Sequence, residues 1–272
     1  MKRQLILAQD SLPDDVALSI MKFLEVSDVC SLGSCSKFWR EISTSECLWK
    51  HLCQLRWPGI VLEDEIEAEI HDHDQPKMPS LKGWRGLYVK KHNLMAEKAA
   101  VVRKSLSCSE IDVNMYHKAL EDMKRMQFGF KDVQMFFLKS GINVLLNFVG
   151  LHYCIKELGV QVGSMTEALN TCNIQDRLVY IQWWEAGNWL HRFKPPDVLH
   201  ARRVPLYDFT SVEGAKILRM LERGIAGDIL CIKMYSSEPH NKRNPTRICT
   251  MCKGLRKDDP QELIPSAIPQ SS

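Results

Sequence analysis

The sequence predicts a mainly α protein with a small mixed α/β C-terminal domain. Three observations carry that reading. Residues 11–57 break into four short segments of helix length, each opened by a polar residue or proline and each carrying apolar residues at helical spacing. Between Trp84 and Leu158 the apolar residues keep that spacing over much of the run. Arg177 to Trp184 is instead dense in the β-branched and aromatic residues that favour strands, and Asp228 to Tyr235 reads as a final strand. At 272 residues the chain has room for one or two domains. It divides into a helical domain at 10–57, an acidic, proline-containing connection at 58–80, a mainly helical and then mixed α+β domain at 81–235, and a tail at 236–272. The tail is dominated by Pro, Ser, Lys and Arg and is expected to be disordered.

Each element has a local reason. Pro13 suits a first helical turn, where its missing N–H has no intrahelical partner to lose. Asp14 and Asp15 follow where the helix dipole favours negative charge. Val16, Ile20, Phe23 and Leu24 then fall on one stripe. Ser27, Ser36 and Ser45 are the expected N-caps of three further helices carrying Val29, Cys30 and Leu32, then Phe38, Trp39 and Ile42, then Leu48, Trp49, Leu52 and Cys53. Helices this short and this closely joined cannot bury their apolar faces alone. That points to a binding module.

Beyond Pro58, residues 60–74 are acidic, and Gln75 to Ser80 is rich in breakers. A long helix is expected from Trp84 through about Leu106, and another over Ile111 to Met126. Phe136 to Leu158 reads as helix over much of its length, with Ile142, Leu146, Val149 and Tyr153 on one face and Gly159 closing it. Met165 to Cys172 predicts a short helix. After the Arg177–Trp184 strand, Glu185 to Asn188 reads as a turn and Trp189 to Phe193 as the returning arm of a hairpin. Ser211 to Arg223 is an amphipathic helix ended by Gly224. No internal repeat of the leucine-rich, WD or kelch kind is present.

The N-terminal residues match a known pattern. Leu12-Pro13-x-Asp15, Ile20-x-x-Phe23-Leu24, Asp28-Val29-Cys30-x-Leu32, Cys35-Ser36-x-Phe38-Trp39-Arg40 and Leu48-Trp49-x-x-Leu52 together resemble an F-box, with Asp15 where many members have Glu and Val29 where many have Leu. The resemblance covers about a sixth of the chain. It implies docking onto the Skp-type adaptor of a cullin–RING ubiquitin ligase through Leu12, Pro13, Val16, Ile20, Phe23, Leu24, Val29, Leu32, Leu48 and Trp49. The rest of the chain would then hold an unknown protein substrate. More loosely, Trp183-Trp184-x-x-Gly187-x-Trp189 with Leu199-His200-x-Arg202-Arg203-Val204 resembles the C-terminal part of some plant F-box proteins.

Composition narrows the remaining classes. Hydrophobic residues make up 45% and charged ones 25%, enough for a sizeable core behind a solvated surface. A formal charge of +3 is too small to make nucleic acid the expected partner. The run Gly141 to Val160 is interrupted by Asn143, Asn147, His152, Lys156 and Glu157, so it is not read as a membrane span. The apolar stretch near Met1 is too short for a secretory signal, and cytoplasm or nucleus is the expected location. Of the ten cysteines, Cys30, Cys35, Cys53, Cys154 and Cys172 sit in apolar helical patterns and read as small reduced hydrophobes.

No cofactor or metal is expected. Cys249 and Cys252 supply only half of a tetrahedral zinc set, and His71-Asp72-His73-Asp74 reads as a solvated connection. Cys154 with His152, or His191 with Asp208, would need a spatially assembled triad, and no nucleophile elbow or phosphate loop accompanies them. The basic run Lys242 to Arg247 reads as solvated tail. The expected function is therefore a non-catalytic substrate receptor of an SCF-type ligase. The alternatives are an adaptor-bound scaffold outside a ligase and, lower, a nucleic-acid binder. Substrate contact is expected at Trp183, Trp184, Trp189 and Arg192, since Trp and Arg dominate binding hot spots.

Overall fold

The computed structural model describes residues 12–60, 83–187 and 196–237. Four short helices come first: α1 (Asp14–Met21), α2 (Val26–Cys35), α3 (Lys37–Ser43) and α4 (Glu46–Arg56). Ser36 caps α3, accepting from the Trp39 N–H at 3.3 Å. Ser45 holds the N-cap position of α4 without accepting a cap hydrogen bond, and two other caps fall elsewhere than expected. Pro13 is the N-cap residue of α1 rather than its first helical residue, and α2 starts at Val26 with Glu25 before it, two residues ahead of Ser27. The stripe of α1 also turns out differently. Ala17 and Met21 face the core, while Val16, Ile20 and Phe23 point outward.

The second body opens with the 23-residue α5 (Gly83–Ser105), followed by a three-residue strand β1 (Glu110–Asp112), α6 (Val113–Met126), α7 (Phe130–Phe136), α8 (Val144–Lys156) and α9 (Val162–Thr171). The expected helix from Ile111 is thus a strand plus a helix, because Asp112 caps α6 through the Met115 N–H at 2.8 Å and pushes residues 110–112 into extended backbone. The expected helix from Phe136 likewise starts at Val144. Asn143 caps it through the Leu145 N–H at 3.0 Å and its amide donates to the Cys108 carbonyl at 2.7 Å. Every side chain of α8 from Val144 to Cys154 is buried. A helix buried on every side, with Asn147 and His152 as its buried polar exceptions, belongs in the centre of a protein, and α8 packs against α6, α7, α9 and the sheet.

The sheet is antiparallel, in the order β1-β4-β2-β3, with β2 (Leu178–Glu185), β3 (Val198–Pro205) and β4 (Ile229–Tyr235). The arm that returns against β2 is Val198–Pro205, with Glu185 opposite Val198 and Leu178 opposite Pro205. The expected arm at 189–193 lies outside the described residues. Val179 and Ile181 on β2, Val204 on β3 and Ile232 and Met234 on β4 fill one face of the sheet and close the core over α8. A 3₁₀ turn (Leu206–Thr210) leads into α10 (Val212–Arg223), which Ser211 caps through the Gly214 N–H at 3.2 Å. Gly214 is required there, because a Cβ would stand 2.1 Å from the Asp208 carbonyl oxygen. Gly224 ends the helix at φ +64, as its sequence position predicts.

Candidate functional site: an exposed apolar ridge on a braced helical domain

The ten residues marked for adaptor contact separate into three groups. Pro13, Val16, Ile20 and Phe23 lie on the open surface, with Val16 40%, Ile20 44% and Phe23 91% exposed. Leu12, Leu24 and Leu32 are half-buried and pack against the core from its edge. Val29, Leu48 and Trp49 are inside it. This last group supports the surface rather than forming it, since a partner could touch these side chains only if the domain opened. Trp49 is pinned by its indole N–H, which donates to the Ser43 carbonyl at 2.7 Å, and by an edge-on contact with Tyr88 of α5. The exposed residues follow i, i+4, i+7 spacing, and the chain continues past α1 in a turn where the Phe23 N–H donates to the Ile20 carbonyl. They therefore make one ridge. Large apolar side chains left together in water mark a contact surface.

The ridge rests on a helical domain fixed firmly to the second body, by a contact that no sequence pattern announced. Arg56, the last residue of α4, is buried, and its Nε donates to Oδ1 of Asp132 on α7 at 2.8 Å. Nη2 stands 2.8 Å from the same oxygen, close in charge but without hydrogen-bond alignment. Nη1 donates to the Tyr88 hydroxyl at 2.8 Å and to His92 Nδ1 at 3.0 Å. The other carboxylate oxygen accepts from the Trp57 indole at 3.0 Å and from the Gly129 N–H at 3.3 Å. Burial, with the Arg56 charge added, lowers the His92 pKa and keeps its Nδ1 an acceptor. Burial also raises the Tyr88 pKa against the opposing pull of Arg56. Arg56 and Asp132 are 76 positions apart, and only the tertiary fold brings them together.

The C-terminal candidates are divided by the sheet. Trp183 shares the inner face of β2 with Val179 and Ile181, packs on the core and stacks on His200 at 5.0 Å. Trp184 projects from the opposite face, opposite Leu199 and Cys231. Trp189 and Arg192 lie outside the described residues, as do His191, His71 to Asp74, Cys249 and Cys252.

Of the catalytic candidates, Cys154 and His152 sit in closed surroundings. Cys154 is fully buried and its thiol is pushed up to about 12 by burial. His152 is 1% exposed and held between the Tyr116 hydroxyl at Nδ1 and Glu222 Oε1 at 2.9 Å on Nε2. Burial lowers its pKa despite the Glu222 partner. Asp208 is exposed in the 3₁₀ turn. A surface depression of about 460 Å³ near Leu138, Lys139 and Cys172 carries no acid–base pair. Among the described residues no cluster of three metal-ligating side chains occurs, and no helix is long and apolar enough to cross a membrane. The cysteine reading needs correction. Cys53 and Cys154 are buried hydrophobes, but Cys30 and Cys35 are exposed, because α2 turns only Val29 fully inward.

Comparison with known proteins adds one finding to this geometry. An F-box-like family model matches residues 9–55, the segment that holds α1 to α4 and the ridge. No curated protein matches the chain significantly, and no solved structure does. The looser likeness of the C-terminal segment to plant proteins finds no support in these comparisons. Domains of the matched kind generally bind Skp-type adaptors. With four short helices, the outward ridge and the match over the same residues, this chain carries an F-box-like domain at its N-terminal end.

Proposed function

We propose that the chain is the substrate-recognition subunit of an SCF-type ubiquitin ligase. The carrying observation is the ridge of Val16, Ile20 and 91%-exposed Phe23 within the F-box-like segment. Through the Skp-type adaptor the chain would join cullin and RING subunits, and its residues 83–237 would hold a target protein. The bond-forming chemistry would belong to a ubiquitin-conjugating enzyme elsewhere in the assembly. The chain's contribution would be proximity, an increase in the effective concentration of a target lysine. The Arg56–Asp132 contact supports this reading, since a rigid link between docking domain and target-binding body fixes where a held target sits. Cytoplasm or nucleus is the location this role requires.

The test replaces Val16, Ile20 and Phe23 together by Ser and measures recovery of adaptor and cullin with the full-length chain. Each aliphatic or aromatic side chain buried on docking contributes about 1.5–3 kcal/mol. Loss of two such contacts alone lowers affinity by roughly two orders of magnitude, at about 1.4 kcal/mol per tenfold. The fold should survive, because none of the three is part of the core. Undiminished recovery by the folded variant refutes the docking face. Recovery of adaptor without cullin from the unaltered chain favours a scaffold outside a ligase.

A further inference from the structure

β3 is the outer strand of the sheet, and its register shows which backbone groups are left open. The Leu206 N–H donates to the Arg177 carbonyl at 3.0 Å, one step beyond the Leu178–Pro205 pair, so that position is a hydrogen-bonded one. Bonded and open pairs alternate in an antiparallel ladder. Val198, His200, Arg202 and Val204 therefore bond to β2, while the N–H and C=O groups of Leu199, Ala201 and Arg203 point away from the sheet. Pro205, with no N–H to offer, falls in the same outward set, where it costs the ladder nothing. Among the described residues no strand pairs with this edge.

The side chains along the edge give it a sign. Arg202 and Arg203 are both exposed and alternate across the pleat. Arg202 lies opposite Ile181 on the helix side, and Arg203 on the other face, its guanidinium 5.4 Å from the centre of the Tyr180 ring. Glu213 on α10 senses the Arg202 charge but is already bound to Lys216 at 2.6 Å. Val198 and Leu199 extend the edge with apolar surface.

An unpaired strand edge is a template for another extended chain. Here the template carries a positive charge on each face. We propose that the β3 edge takes up an extended acidic segment of the target protein as a fifth strand, with adjacent acidic residues reaching Arg202 on one face and Arg203 on the other. Main-chain hydrogen bonds to Leu199, Ala201 and Arg203 would supply binding, and the charges would supply selection. A second copy of the chain is a poorer occupant, because pairing β3 with itself brings four arginines to one seam with no acid between them. This inference names the target class for the receptor reading above and rests on that reading.

The experiment uses the full-length chain and a fluorescein-labelled peptide of about ten residues, alternating Val and Thr around two adjacent glutamates, followed by fluorescence anisotropy. Saturable binding is expected, weakening as salt rises. Arg202→Glu with Arg203→Glu should weaken it at least about tenfold, with an unchanged thermal midpoint. Ala201→Pro removes one outward donor and should weaken it as well, as should methylation of the peptide's central backbone nitrogens. A peptide with lysines in place of the glutamates should not bind. Absence of saturable binding overturns the proposal, and so does full binding by the double Arg variant. Binding that emerges only after deletion of residues 60–74 overturns it in favour of the chain's own acidic run. A dimer that dissolves in the double Arg variant overturns it in favour of a second copy. Adaptor and cullin recovery measured on the same double variant separates the two readings. If recovery is intact while the peptide does not bind, the strand edge alone is refuted.

Discussion

Replacing Asp132 by Ala takes away the carboxylate that, among the described residues, faces the buried Arg56 guanidinium. Asp132 is fully buried and the Arg56 side chain is 5% exposed, so water cannot take the place of the lost partner. The change also leaves the Trp57 indole and the Gly129 N–H without their acceptor. Breaking a buried pair by removing one member costs about 3–5 kcal/mol, because the remaining charge stays desolvated. Taking 4 kcal/mol and a urea slope of about 2–3 kcal/mol/M, the unfolding midpoint should fall by roughly 1.3–2 M. Arg56→Met alone should cost a similar amount. The double variant Arg56→Met with Asp132→Leu should cost far less than the sum, since it leaves no uncompensated charge. The assay is urea unfolding followed by circular dichroism and tryptophan fluorescence, with all four members of the cycle. A cost below about 1 kcal/mol for Asp132→Ala, or additive single costs, would refute the view that this pair braces the docking domain.

Trp183→Ala should destabilise the protein by about 3 kcal/mol, because the ring packs on the core and stacks on His200, whereas Trp184→Ala on the opposite face should cost well under half of that; thermal unfolding of the two variants gives the comparison. His152 has its pKa lowered by burial, so the unfolded chain binds the extra proton and stability falls as pH drops below about 6.5. His152→Gln should therefore lose less stability between pH 7.5 and 5 than the unaltered protein, and equal losses in urea midpoint would contradict this. Thiol labelling at neutral pH, read by mass spectrometry, should modify Cys30, Cys35 and Cys47 quickly and spare Cys53 and Cys154 until the chain unfolds, since burial holds those two thiols at about 11 and about 12.

Local chemistry was legible from the sequence wherever one short segment decides its own state. Ser36, Ser211 and Gly224 bound their helices where expected, because a cap needs only the few residues around it. Trp183 and Trp184 point opposite ways because alternation is a property of any strand. The F-box pattern was readable for the same reason, its order and spacing lying within 47 contiguous residues.

What stayed hidden depends on partners far along the chain. Periodicity placed Val16, Ile20 and Phe23 on one stripe but could not say whether the core lay beneath it. The fold buries Ala17 and Met21 instead and leaves the stripe in water. β1 was missed because three residues become a strand only when β4, more than a hundred positions later, pairs with them. Arg56 and Asp132 look like ordinary surface charges in sequence, and only the packing of α4 against α5 and α7 removes them from solvent and makes each the other's necessary partner. The open edge of β3 has the same origin. A sequence can mark residues as strand formers, but which strand lies outermost is fixed by the order in which the whole sheet assembles.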